Sequence, residues 1–255
     1  MFWVINKDKV YSYMVTLSVI GVLFVMASIM PKNSTIQTSA NTKELPIYSV
    51  KTEEKKVALT INCAWNADDI DLILKTLSDN NVQVTFFMVG DWVQKYKEQV
   101  KQISDANQEI GNHSLSHPHV NNLSYDDNVE QILECSKMIE EITNKKVTLY
   151  RAPYGEYNNT VVKAARDNNH QIIQWSIDTL DYNSLTGTEM WKRIKDKLKP
   201  GSIVLMHNGT KHTAESLDMI IKNIKQEGYE IVPVSQLIYS DNYKIDVNGE
   251  QQMNI

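Results

Sequence analysis

Short apolar runs alternate with helical patterns along most of this chain. Residues 57–61 (VALTI), 84–89 (VTFFMV), 147–150 (VTLY), 172–175 (IIQW) and 203–206 (IVLM) are β-prone, and 232–234 close the series after Tyr229-Glu230-Ile231. Between them, Ile70, Ile73, Leu74 and Leu77 repeat at i, i+3, i+4 and i+7, and Leu217, Ile220, Ile221 and Ile224 do the same. That spacing lays one apolar stripe along a helix. Ser124, with Asp127 three residues on, reads as a helix start. Alternating strand and helix imply parallel strands joined by right-handed crossovers, an α/β fold. Six or seven such units suit a closed or nearly closed barrel better than a doubly wound sheet, and no Rossmann glycine fingerprint is present.

The N-terminus follows a different rule. Residues 11–30 carry no charge and are long enough to cross a hydrocarbon core of roughly 30 Å. Lys7 and Lys9 precede them, which favours a cytoplasmic N-terminus (1–10) and a domain held on the extracytoplasmic side of the cell membrane. A cleaved signal peptide normally has a shorter apolar region and a small-residue cleavage site directly after it, so an uncleaved single-pass anchor is the favoured reading. Residues 31–55 are polar and aperiodic, a linker. One domain is expected over 56–239, enough for a single well-buried core. The polar stretch 240–255 reads as a flexible tail.

Polar clusters end several of the apolar runs: Asn62-Cys63, His113 with His117, Arg151-Ala152-Pro153-Tyr154, Asp178 with Asp181, and His207. The end of a barrel strand opens into the mouth where ligands sit, so the repetition reads as one site gathered from five strand ends. Charge narrows the partners: a net charge of −5 without a basic stripe argues against nucleic acid. Two cysteines make no disulfide framework, and Cys135 reads as a small core residue on a helix.

Two imidazoles four residues apart can share a metal, and zinc accepts nitrogen at about 2.0–2.1 Å. A bare His-x-x-x-His is more often two surface or capping histidines, but Gly111-Asn112 before it and Pro118 after it place this pair in a strand-end loop. His207 can deliver a proton near neutral pH, or serve as a core histidine bonded to backbone. Asp178 and Asp181 can orient it, or cap turns. Arg151 can fix a polar substrate group or make a structural ion pair. Trp65, Tyr154 and Tyr182 offer flat faces for a sugar ring, although core packing is the commoner use for at least one of them.

At these residues the chain resembles the polysaccharide deacetylases, the NodB-homology carbohydrate esterases. Their ordered motifs are T-F-D-D, H-[ST]-x-x-H, R-x-P-[YW], D-x-x-D-W and L-x-H. Here stand Thr60-Ile61-Asn62-Cys63, His113-Ser114-x-x-His117, Arg151-x-Pro153-Tyr154, Asp178-x-x-Asp181-Tyr182 and Leu205-x-His207. The anchor, linker and small domain also resemble the PdaB-type sporulation members. The resemblance implies a deformed (β/α) barrel and metal-dependent deacetylation of N-acetylated, peptidoglycan-like cell-wall glycan. It implies a divalent metal, zinc first, on His113 and His117. It gives catalysis to His207, Asp181, Asp178 and Arg151, and glycan binding to Tyr154, Tyr182 and Trp65. The departure is the first motif. The family's base and third metal ligand are both Asp, and Asn62 and Cys63 hold those positions. An amide accepts no proton from water at neutral pH. Cys63 is either a thiolate ligand or a small buried residue. Asp68 and Asp69 either cap the next helix or replace the missing base or ligand. A member that binds glycan without hydrolysis is the alternative.

Overall fold

The structure, a computed structural model, describes residues 7–29 and 43–254. It divides into two units, residues 1–42 and 43–255. The first contains α1 (Lys7–Ile29). Among the described residues no helix is long and apolar enough to cross a membrane. Met30, the last residue of the expected anchor, and 31–42 of the expected linker lie outside the described residues.

The second unit runs β1 (Ser49–Val50), β2 (Lys56–Cys63), α2 (Ile70–Asp79), β3 (Thr85–Met88), α3 (Gly90–Lys95), α4 (Lys97–Asp105), β4 (Glu109–Asn112), α5 (Tyr125–Thr143), β5 (Leu149–Tyr150), α6 (Asn159–Asp167), β6 (Gln171–Ile172), β7 (Ile177–Asp178), α7 (Gly187–Lys195), β8 (Ile203–His207), α8 (Thr213–Gln226), β9 (Glu230–Ile231), α9 (Val234–Leu237), β10 (Tyr243–Ile245) and β11 (Glu250–Met253). The main sheet is parallel, in the order β6-β5-β4-β3-β2-β8-β7, with β9 on the start of β2. It is a curled α/β sheet left open between β6 and β7. The expected barrel is therefore present in its deformed, unclosed form.

Alternation along β2 builds two layers. Val57, Leu59, Ile61 and Cys63 face outward into the core shared with α2 and α8. There the helical stripes meet them: Ile70, Ile73 and Leu77, then Leu217, Ile220, Ile221 and Ile224, are buried, and Leu74 packs partly buried beside them. Ala58 faces inward with Phe87, Ile203 and Ile173, plugging the interior. Thr60 and Asn62, buried on that same inward face, continue it towards the mouth. α5 starts at Ser124 as expected, its hydroxyl accepting from the Asp127 amide in a capping box.

Several boundaries differ from the sequence reading. β4 carries the sequence EIGN, too short and polar to stand out by pattern, yet it pairs with both β3 and β5. The run at 232–234 is not the strand: β9 precedes it and α9 begins at Val234, because Pro233 donates no hydrogen bond to a ladder. Residues 43–55 of the expected linker include β1, and the expected flexible tail forms strands. β1, β11 and β10 make a second sheet. Ile47 and Val50 plug the interior beside Ala58 and Ile203. The Val50 amide donates to the Gly201 carbonyl at 2.9 Å. Gly201 has φ +78°, and a Cβ there would sit 1.7 Å from the Val50 oxygen, so only glycine allows this approach.

Candidate active site

Strand register sets the site. Asn62 is in register with His207, Cys63 with Met88, Met88 with Asn112, and Asn112 with Tyr150. His113 and Arg151, next after Asn112 and Tyr150, therefore emerge one step beyond Cys63, two residues above Asn62 towards the mouth. The mouth is a cavity of about 530 Å³ lined by Asn62, His113, His117, Tyr154, Asp178 and His207, with Trp65, Tyr182 and Trp175 also on its walls.

Arg151 is fully buried. Its Nη1 donates to Thr60 Oγ1 at 2.8 Å and to Asn62 Oδ1 at 2.9 Å, and its Nη2 to the Gln174 carbonyl at 3.1 Å. The guanidinium lies 4.0 Å above the Phe87 ring centre. Among the described residues its side-chain hydrogen-bond partners are neutral, and burial lowers its pKa to about 9. A guanidinium only donates, so the Asn62 carbonyl must face it and the Asn62 amide nitrogen must face His113 Nε2, 3.2 Å away. His113 Nδ1 lies 2.7 Å from the Arg151 carbonyl, which can only accept. His113 is thus fixed as the Nδ1–H tautomer, its Nε2 lone pair taken by the Asn62 amide. Burial, then the nearby His117, hold its pKa well below the ordinary imidazole value.

His117 sits in a loop rather than on a helix, with φ +57°. Its ring centre is 4.9 Å from that of His113 and 4.5 Å from that of Tyr154, and burial lowers its pKa also. The expected third ligand is elsewhere. Successive strand residues face opposite sides, and with Asn62 turned inward Cys63 is turned outward into the apolar layer. There burial, then Asp69, push its thiol pKa well up. The set of His113, His117 and Cys63 is not assembled, which corrects the expectation of Cys63 as a ligand. Asp69 does not substitute: its carboxylate accepts from the Gly209 amide at 2.7 Å and the Asn208 side chain at 3.1 Å. Asp68 is exposed and is not among the cavity residues. Among the described residues no three His, Cys, Asp or Glu side chains gather as a metal site. With one imidazole lone pair engaged and no third donor, these residues do not fit a three-ligand zinc centre.

His207 ends β8 with Nδ1 2.9 Å from Asp181 Oδ1. The buried Asp181 also accepts from the His207 amide at 2.6 Å and the Tyr182 amide at 3.0 Å. Asp181 rather than Asp178 is therefore the partner of His207. Asp178 accepts from the Leu180 amide at 2.8 Å and the Tyr182 hydroxyl at 3.1 Å. Trp65 and Tyr182 flank the His207 imidazole at 5.3 and 5.4 Å between ring centres. Tyr154, 59% exposed at φ +57°, stacks on His119 at 4.3 Å. His119 and Trp175 were not singled out by sequence. His119 follows the His113–His117 pair by two residues, its one available signal. Trp175 closes an apolar run and carries none.

The polysaccharide deacetylase family model matches residues 49–173. The uncharacterized protein YlxY of Bacillus subtilis is 32% identical over 76% of this chain and 60% of its own length. The peptidoglycan-N-acetylglucosamine deacetylase PgdA of Listeria monocytogenes is 34% identical over 84% of this chain and 46% of its own. The chain thus spans about half the length of these curated relatives. The solved structure of BA3943 from Bacillus anthracis, described as a CE4 family pseudoenzyme, is 40% identical, covers 75% of this chain and 68% of its own, and superposes with a TM-score of 0.73. A mutant of BA3943, described as having restored enzymatic activity, has the same identity and TM-score.

Proposed function

This chain belongs to the polysaccharide deacetylase family, and on that premise we propose that its pocket takes N-acetylated, peptidoglycan-like glycan while hydrolysing it slowly. The observation that carries this is the Asn62 amide, wedged between Arg151 and His113 where a base is needed. Binding and leaving-group chemistry are kept. Trp65, Tyr182 and Tyr154 present rings at the mouth for stacking on a sugar. His207, bonded to Asp181, is the group we assign to protonating a departing sugar amine, a reading its place on the cavity wall supports. Activation of water is what the site lacks. Among the described residues no third His, Cys, Asp or Glu side chain gathers with His113 and His117, and one of those two imidazoles is engaged, so no step is assigned to a metal such as zinc. A positioned base contributes roughly 10²–10⁴-fold, so acetate release should fall below that of acid-bearing relatives by about that factor. Glycan binding without any hydrolysis is the second reading, favoured by the likeness to BA3943.

Soluble N-acetylglucosamine oligomers and acetate release from peptidoglycan test both. The expected result is glycan binding that Trp65→Ala weakens, very slow acetate release, and faster release after Asn62→Asp. Binding with no acetate from either protein would select the second reading. Absence of glycan binding would overturn both.

The uncharged span 11–30, following Lys7 and Lys9, supports a single-pass anchor with the domain outside the cytoplasmic membrane, and the layout shared with PdaB-type members supports a sporulation setting. Protease added to intact protoplasts should digest the domain; full protection would reverse that orientation.

A further inference from the structure

Asp181 is saturated with donors, and one of them lies outside the five motifs. Its Oδ1 accepts from His207 Nδ1 and the Tyr182 amide. Its Oδ2 accepts from the His207 amide and, at 2.7 Å, from the hydroxyl of Thr213. Thr213 is fully buried and is the first residue of α8. Its own oxygen accepts from the Thr210 hydroxyl at 2.6 Å. The direction is forced, because an ionised carboxylate only accepts. The N-terminal end of the fourteen-residue α8 also presents its positive dipole end to this carboxylate.

We infer that Thr213 is a positioning residue for the proposed proton donor: through Asp181 it locks His207 in the Nδ1–H tautomer, leaving Nε2 as the atom that faces the pocket. The inference rests on the reading of His207 as that donor. The physical reason is rotation. Asp181 is held from the β8 side by both His207 donors. Without Thr213, Oδ2 keeps only the His207 amide while Oδ1 keeps His207 Nδ1 and the Tyr182 amide, so the carboxylate is held less firmly against turning about its Cβ–Cγ bond. Oδ1 then leaves the imidazole plane, and the preference for Nδ1–H weakens. A short T-x-x-T sequence, Thr210 to Thr213, supplies the device.

The test is ring-nitrogen NMR of the full chain in detergent micelles, labelled at its six histidines. In the unaltered protein His207 should show a protonated Nδ1 and an unprotonated Nε2. Thr213→Val keeps the shape and loses the donor; both His207 signals should then move towards each other as the second tautomer is populated. Thr213→Ser should restore the original pattern. Thr213→Ala serves where the valine protein does not fold, with the same two outcomes. Unchanged His207 signals in the folded donor-less variant would overturn the inference. Glycan affinity should be the same in all these proteins. A chain that binds no glycan yet shows the tautomer change would sink the proposed function and leave the role of Thr213 standing.

Discussion

A thiol and an amide side by side on one strand meet opposite environments, and their chemistry diverges accordingly. Asn62 faces Arg151 and His113, its carbonyl oxygen accepting from the first and its amide donating to the second. Cys63 faces an apolar layer where a thiolate would be desolvated, and its pKa rises. Cys135, on α5, shares that fate: burial pushes it up to about 12, and its S–H donates to the Met88 carbonyl. Neither should be nucleophilic in the folded chain, because the thiolate is the reactive form. With a disulfide-exchange reagent at pH 8, the native protein should show no fast thiol and the unfolded protein two. Cys63→Ala should cost about 1–2 kcal/mol, of the order of one small buried side chain, and leave glycan affinity unchanged. Rapid native labelling of Cys63, or glycan binding lost in Cys63→Ala, would place the thiol in the pocket after all.

The five polar clusters were legible because each ends or follows a strand, and the register of β2, β4, β5 and β8 does bring their strand ends to one level. What the residue pattern concealed was which side each residue faces. Period-two alternation already forbids Asn62 and Cys63 from sharing a face of a regular strand, and a motif reading that takes both as site residues overlooks it. β4 was missed for the opposite reason: four residues with two polar ends give no periodic signal, and pairing on both edges defines the strand. The polar composition of residues 240–255 conceals a paired sheet, because its order comes from buried hydrogen bonds rather than from apolar periodicity. Gln251 is fully buried, with its side chain donating to the Tyr239 carbonyl at 2.7 Å and accepting from the Tyr239 amide at 2.8 Å, while its carbonyl accepts from the Lys51 amide. Ending the chain after Tyr239 should therefore cost about 2–4 kcal/mol, at roughly 1 kcal/mol for each hydrogen bond lost, plus the exposure of Ile47 and Val50. Thermal unfolding of the full and shortened chains measures it; equal midpoints would restore the flexible tail.

Across the whole domain, buried imidazoles make stability depend on pH in one direction. His170 sits 5% exposed between α5 and α6, with Nδ1 2.7 Å from the Asn168 carbonyl and Nε2 2.8 Å from the Ser136 hydroxyl. The carbonyl requires a proton on Nδ1, so Nε2 is the acceptor. Ser136 in turn accepts from the Asn112 side chain, whose oxygen accepts from the Ser114 amide. A line of three hydrogen bonds thus runs from His170 to the loop that holds His113 and His117, and its first member must stay neutral. Burial lowers the His170 pKa most; Lys146 acts the same way, while the Asn168 carbonyl and Glu140 oppose them. His113 and His117 are lowered too, burial being the largest cause in each. For a base depressed in the folded state, the unfolded chain takes up protons first. Stability is then fully present above the ordinary imidazole value of 6.5 and is lost as pH falls below it. Each such histidine can contribute a slope of at most about 1.4 kcal/mol per pH unit. The unfolding midpoint should therefore drop between pH 7 and pH 5, and His170→Gln, neutral throughout, should flatten that drop without abolishing it, since the lowered imidazoles of His113 and His117 remain. In the folded protein the histidine-loop NMR signals should stay unchanged through the ordinary imidazole range and broaden only at lower pH, where protonation of His170 at Nε2 breaks the bond to Ser136 at the far end of the line. If His170→Gln keeps the full pH slope, His170 is not a source of the acid lability, and the line from α6 to the histidine loop carries no proton-linked stability.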